Sequence, residues 1–222
     1  MNPELMKYLT VIGTATWQTF VMVFFSTIFS LILGIPLGII LCTSDPASGL
    51  HPRKLLNQIL SIVINILRAI PFVILVILLF PFTRAIVHTA IGTKASIVPL
   101  TIAAAPFVAR VIESSLKEVE PGVIQAARSM GSTDFQIIKK VLLPEALPSI
   151  VNGITLTIIN LIGYSAMAGT VGGGGLGDVA IRYGYQRYRL EYMIGSVVII
   201  LVLVEVVQVL GTRISNKMQA KR

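Results

Sequence analysis

Apolar residues run along this chain in blocks too long for strands, and they show no period-two alternation. No charged residue occurs between Lys7 and Asp45, nor between Glu145 and Asp178. Such runs exceed the ~18–20 apolar residues that cross the hydrocarbon core of a bilayer. Five apolar segments stand out, at 11–42, 56–82, 95–112, 150–171 and 192–211. Backbone groups in lipid must be satisfied within a segment or a closed barrel, so these segments are predicted to be helices. The third is short. Fifteen positions separate Lys94 from Arg110, which at ~1.5 Å per residue covers about two-thirds of the core. It is expected inside the bundle, shielded from lipid, with Arg110 near the interface. The predicted fold is all-α: one polytopic membrane domain over 1–222, with five spans and a long cytoplasmic connection at 113–149.

Composition narrows the class further. Hydrophobic residues make up 55% of the chain and charged residues 13%, with a mean hydropathy of +0.85. A soluble domain carries about a quarter charged residues, so a soluble enzyme, a disordered chain and a secreted disulfide scaffold are all excluded. The single Cys42 makes no internal disulfide. Glu4 offsets Lys7 and the apolar run that follows is too long for a signal peptide, so no cleaved leader is expected. The net charge of +8 reads as the cytoplasmic excess of Lys and Arg in a membrane protein, not as a nucleic-acid surface. With the C-terminus inside, eleven basic residues fall in cytoplasmic segments and six outside, with Arg68 left within a span. That balance predicts an outside N-terminus, although Arg182, Arg187 and Arg189 on one outer loop weigh against it.

The connection at 113–149 is too polar to insert and too patterned for a linker. Pro121 stands at a first helical position, where its missing N–H is harmless. Val123, Ile124, Ala127 and Met130 recur at helical spacing, and Gly131 ends the run as a left-handed cap. Thr133 and Gln136 have capping-box spacing and start a second short helix, lined by Phe135, Ile138 and Leu142 and closed by Pro144 and Pro148. Taken alone, two short helices about a glycine turn read as an amphipathic hairpin at the membrane surface.

A longer pattern gives this hairpin a second reading. Gln125-Ala126-Ala127, three residues, Gly131, nine residues, then Val141-Leu142-Leu143-Pro144 resembles the cytoplasmic EAA loop of ABC importer permeases. The family pattern is Glu-Ala-Ala, three, Gly, nine, Ile, any residue, Leu-Pro. Gln125 stands where that pattern has Glu, which puts an ion pair there in doubt, and Val141 stands where it has Ile. Arg68-Ala69-Ile70-Pro71-Phe72, the stretches 98–101 and 105–110, Gly163-Tyr164-Ser165-Ala166-Met167 and Arg182-Tyr183-Gly184-Tyr185 are similar to the methionine-importer subfamily. The likeness extends over essentially the whole chain. It implies a homodimeric permease of the bacterial inner membrane, with two ATP-binding cassette subunits below and a substrate-binding lipoprotein outside. It also implies that Gln125, Ala126, Ala127, Gly131, Phe135, Ile138, Leu143 and Pro144 form the helix that couples to the ATPase.

Other signals have two readings each. Gly172-x-Gly174-x-x-Gly177 matches a dinucleotide fingerprint as a string, but a membrane span precedes it and no βαβ unit surrounds it. A tight re-entry that lets two subunits approach suits it better. The chain has no P-loop, so ATP hydrolysis is expected on a partner and no cofactor is expected here. Met167 is either a packing residue or a thioether constriction where the two fourth spans meet, with Tyr164 and Asn160 as polar contacts along the same path. Arg68 and Glu205 are charges within spans, and such charges are either functional or paired for structure. His51 and His88 read as surface residues, without a second metal ligand at suitable spacing.

The sequence therefore points to a catalytically silent permease that moves methionine, or a related small amino acid, into the cytoplasm by alternating access. Another amino acid or a small peptide is the nearest alternative cargo. A proton-coupled carrier using Glu205 is the rival of a different class, but it would call for internal inverted repeats, and none is found.

Overall fold

A computed structural model describes residues 3–220, and every regular element among them is helical. The elements are α1 (Pro3–Thr43), α2 (Lys54–Ala69), α3 (Phe72–Leu78), α4 (Phe80–Val87) and α5 (Thr93–Lys117). They continue with α6 (Pro121–Ser129), α7 (Asp134–Ile137), α8 (Leu143–Thr170), α9 (Gly175–Val179) and α10 (Leu190–Gln219). Among the described residues, four helices are long and apolar enough to cross a membrane, and five if the bent pair α2 and α3 counts as one.

Three elements differ from the sequence expectation. The second apolar segment is not one helix, because α2 and α3 meet at 102° across Ile70-Pro71. Pro71 has no N–H and holds its preceding residue out of the helical region, so the break falls there. The third segment is not short. As α5 it has 25 residues, about 37 Å long, because Glu113 and Lys117 pair one helical turn apart and carry the helix past the apolar run. It is also the most buried of the long helices. Finally, Pro144 and Pro148 do not close the second hairpin helix. A π turn at Ile138–Leu142 follows α7, and the Leu143 N–H reaches back to the Ile138 carbonyl. The wider turn accommodates Pro144, whose ring would otherwise clash with the carbonyl four residues earlier. Asp134–Thr170 thus runs on as one 37-residue span.

The chain divides into two compact units, each assembled from three separated stretches. The first takes residues 1–30, 70–104 and 158–208. Its main core packs Met22, Phe72, Val76, Leu100, Leu161 and Ala168. Here Gln18 Oε1 accepts the Gly175 N–H at 2.8 Å and Thr19 Oγ1 accepts the Leu176 N–H at 2.9 Å, tying the glycine-rich turn to α1. A Cβ on Gly177 would lie against the Ala166 backbone, and one on Gly169 against Asp178. The close approach that Gly169 and Gly177 permit within the chain is that of α9 folding back on α8.

The second unit takes 31–69, 105–157 and 209–222. Its core gathers Ile112, Leu116, Val119, Ala127, Ile137, Leu142 and Ile150. Gly38 lets α1 close on α5, since a Cβ there would stand 2.6 Å from the Ala109 carbonyl oxygen. Thr157 satisfies its buried hydroxyl within its own helix, on the Gly153 carbonyl at 2.8 Å, whereas the buried Ser215 of α10 donates across to the Pro148 carbonyl of α8 at 3.0 Å.

Candidate functional site: a helical hairpin and an open helix face

The hairpin is built by local chemistry. Glu120 is extended and Pro121 opens α6. At the far end the Ser132 N–H donates to the Ala127 carbonyl at 3.1 Å and the Gly131 N–H to the Arg128 carbonyl at 2.9 Å. This is the Schellman pair of bonds, and Gly131 takes the left-handed conformation it requires, at φ +79°. Thr133 and Gln136 then cap α7 reciprocally, with the Thr133 N–H donating to Gln136 Oε1 at 2.9 Å and the Gln136 N–H to Thr133 Oγ1 at 3.4 Å.

Burial sorts the hairpin into two faces. Ala127, Ile137 and Leu142 belong to the core of the second unit, with Ile124, Ile138, Val141 and Leu143 half-buried beside them. Gln125, Ala126, Gly131 and Pro144 are exposed. Phe135 is 71% exposed and Met130 78%. Of the residues expected to couple to a partner, Ala127 thus packs inward, and Phe135 does not share a buried face with Leu142. Met130, read from its spacing as part of the apolar side of α6, is exposed, as Phe135 is. An apolar residue immediately before a left-handed cap has no helix face to bury, and that was the available signal.

The connection 44–53 braces the hairpin. The Arg128 Nη2 donates to the Leu50 carbonyl at 3.1 Å, Asp134 lies 3.9 Å from Arg128, and His51 pairs with Asp134. Asp45 accepts the Ala47 and Ser48 N–H groups at 2.8 and 3.1 Å and takes the Lys117 ammonium at 2.6 Å. That ammonium, followed by local backbone donors, holds the Asp45 carboxyl down from its ordinary 3.8 to about 2. Lys117 also reaches Glu113 at 2.9 Å, and Glu113 receives Arg110 at 2.7 Å. Arg110 in turn donates to Asn65 Oδ1 at 3.0 Å on α2. The long-range part of this bracing was not legible in the sequence, because Arg128 and Leu50 lie 78 positions apart and Lys117 and Asp45 72.

On α8, Asn160, Gly163, Met167 and Thr170 are exposed at helical spacing, forming one open face. Tyr164 is turned to the Phe72 ring, stacked at 4.7 Å and 8°. Asn160 and Met167 therefore share a face, whereas Tyr164 secures the start of α3. Arg68 is exposed near the end of α2, with its guanidinium 6.0 Å from the Phe107 ring centroid. Glu205 is exposed on α10. Among the described residues neither Arg68 nor Glu205 forms an ion pair.

Similar proteins match the chain along most of its length. A probable D-methionine transport system permease of Vibrio cholerae is 56% identical over 89% of this chain and 88% of its own. Its counterpart in Pasteurella multocida is 44% identical over 98% of both. A chain of the MetNI methionine ABC transporter in an inward-facing conformation superposes with a TM-score of 0.93 at 44% identity, covering 98% of this chain and 99% of that one. A chain of an amino acid ABC transporter solved with histidines shares the fold alone, at 19% identity and a TM-score of 0.74. Residues 34–220, which contain the capped hairpin, its bracing and the open face of α8, match the inner membrane components of binding-protein-dependent transport systems, and the chain belongs to that family.

Proposed function

We propose that this chain is the permease subunit of an ATP-driven importer that carries methionine into the cytoplasm. The observation that carries the reading is the end-to-end correspondence with the methionine transporter chain, hairpin included. Two copies form the pathway, two ATP-binding subunits dock on the hairpins, and an external lipoprotein delivers cargo. Hydrolysis belongs to the ATP-binding subunits. Gln125, Ala126, Met130 and Phe135 form the docking face, an apolar tip with a polar rim, as interface anchors require. Ala127, Ile137 and Leu142 seat that face in the core shared with Ile112 and Ile150, so a displaced hairpin carries α5 and α8 with it. Phe135 and Met167 lie on one continuous helical span. That span is the bistable lever, biased by ATP through the partner and read at the Met167 constriction.

The N-terminus lies outside and the C-terminus in the cytoplasm. The excess of Lys and Arg in the inner segments supports this orientation. Two of the three outer arginines are held in local ion pairs, but the rule counts basic residues rather than net charge, so it is the larger inner total that carries the orientation. Arg182 pairs with Asp178 at 2.6 Å, and Arg189 lies 3.2 Å from Glu191 and 3.7 Å from Glu4.

The test is reconstitution of the permease with its ATP-binding subunit and lipoprotein in vesicles, followed by uptake of labelled D- and L-methionine. Uptake that requires ATP and ignores a proton gradient is expected. Uptake that follows the gradient and ignores ATP would overturn the reading in favour of a carrier built on Glu205.

A further inference from the structure

The charges around α2 and α5 do not balance. A shallow depression of about 420 Å³, open along much of its rim, is lined by Arg68, Phe107, Arg110, Glu113 and Lys117 among others. Glu113 neutralises Arg110, and Asp45 neutralises Lys117. Arg68 is left over. It stands about 21 Å along α2 from Lys54 at 1.5 Å per residue, inside the second apolar segment rather than at its charged end. A guanidinium there faces water or a counter-charge rather than lipid tails. Its position over Phe107 contributes a weak attraction and sets the plane of the group without neutralising it. Glu113 does not neutralise Arg68 as well, because its two carboxylate oxygens are already engaged by Arg110 and Lys117.

We infer that Arg68 is a cargo-binding residue, whose guanidinium takes the carboxylate of a zwitterionic amino acid entering the depression beside Phe107. A planar fork of N–H donors matches a carboxylate in a bidentate pair, which a lone ammonium does not. The cargo supplies the missing anion, and the depression gives its side chain room. The inference rests on the importer reading above and deepens it by naming the recognition group.

The test is local to the depression. Ser114 is exposed and lines it, while the only native cysteine, Cys42, is buried. Ser114→Cys in a Cys42→Ala background, purified as the complex with its ATP-binding subunit, reports occupancy through protection from a maleimide. L-methionine is expected to protect at a concentration at least tenfold below methioninamide, which keeps the ammonium and thioether but lacks the carboxylate. Arg68→Gln should raise the methionine concentration about tenfold and leave the amide unchanged, so that the preference collapses, and Arg68→Lys should restore part of it. Co-purification of the ATP-binding subunit verifies that each variant is assembled. Equal protection by acid and amide before Arg68 is changed would overturn the inference. So would a loss reproduced by Glu205→Gln, which would make Arg68 an ion-pair partner, or by depletion of anionic lipid, which would make its ligand a headgroup phosphate. Failure here leaves ATP-driven methionine uptake standing. Conversely, protection by another amino acid without methionine uptake would sink the cargo assignment and keep the carboxylate site.

Discussion

Gly131 offers the sharpest test of the hairpin as a coupling device. Its φ of +79° lies in the left-handed region, and a Cβ added there meets nothing within 4 Å. The effect of a side chain is therefore torsional, with no steric part to confuse it. Alanine in this conformation costs about 1 kcal/mol, and β-branched valine about 2. Valine relaxes that strain by leaving the left-handed region, which breaks the Ser132–Ala127 and Gly131–Arg128 backbone bonds and swings Phe135 off its direction. At 1.4 kcal/mol per tenfold, docking of the ATP-binding subunit should weaken about 30-fold in Gly131→Val. Gly131→Ala should weaken it about fivefold. Gly131→Asn should stay within about twofold, because asparagine tolerates the left-handed region. The assay is co-purification of the ATP-binding subunit with detergent-solubilised permease, alongside ATP-driven uptake. A valine variant that keeps its partner and transports normally would refute the argument and reduce the hairpin to a membrane-surface anchor.

Three further outcomes separate the roles of other residues. Phe135→Ala should weaken docking by about 30-fold as the loss of an interface anchor, yet leave the thermal midpoint of the isolated permease unchanged because the ring is exposed; a lowered midpoint would show a packing role instead. Asp45→Asn should destabilise the solubilised protein by about 1–2 kcal/mol at pH 7, after screening through the partly exposed Lys117. Because the carboxyl is depressed from 3.8 to about 2, its contribution is complete above 3.8 and lost as pH falls towards 2. The gap between wild type and variant in thermal melts should close over that window, and a pH-independent gap would contradict the ion pair. Met167→Asp should abolish most uptake while the ATP-binding subunit still co-purifies, since a carboxylate on the open face of α8 carries a desolvation cost of several kcal/mol at a closed constriction; normal uptake by an inserted variant would leave Met167 as packing.

Much of the hairpin was written in contiguous residues. Pro121, Gly131, Thr133 and Gln136 each act within a few positions of themselves, through a fixed φ, a left-handed cap or a reciprocal cap. Their structural consequences follow from sequence with little help from the rest of the fold. The family pattern was legible for the same reason, since its spacing counts the residues of this local unit. The all-helical membrane class was equally legible, because lipid leaves the backbone almost no alternative.

The outcome at other positions depended on what surrounds them. Hydropathy ended the third span at the first charges, yet Glu113 and Lys117 satisfy each other and α5 continues. Pro144 signalled a stop, yet a π turn absorbed it because Leu142 and Ile150 are held in the common core on either side. Periodicity placed Met130 and Phe135 on apolar faces, but a helix of nine residues followed by one of four has fewer buried positions than apolar ones. Only packing against Ile112, Leu116 and Val119 decided that Ala127 and Ile137 would fill them. The sequence alone thus determined the helical class, the caps of the hairpin and the membrane as solvent, because those depend on neighbours along the chain. Tertiary structure alone decided which charges are neutralised and which side chains remain outside, because Arg128 meets Leu50 and Lys117 meets Asp45 only once α1, α2 and α5 are packed.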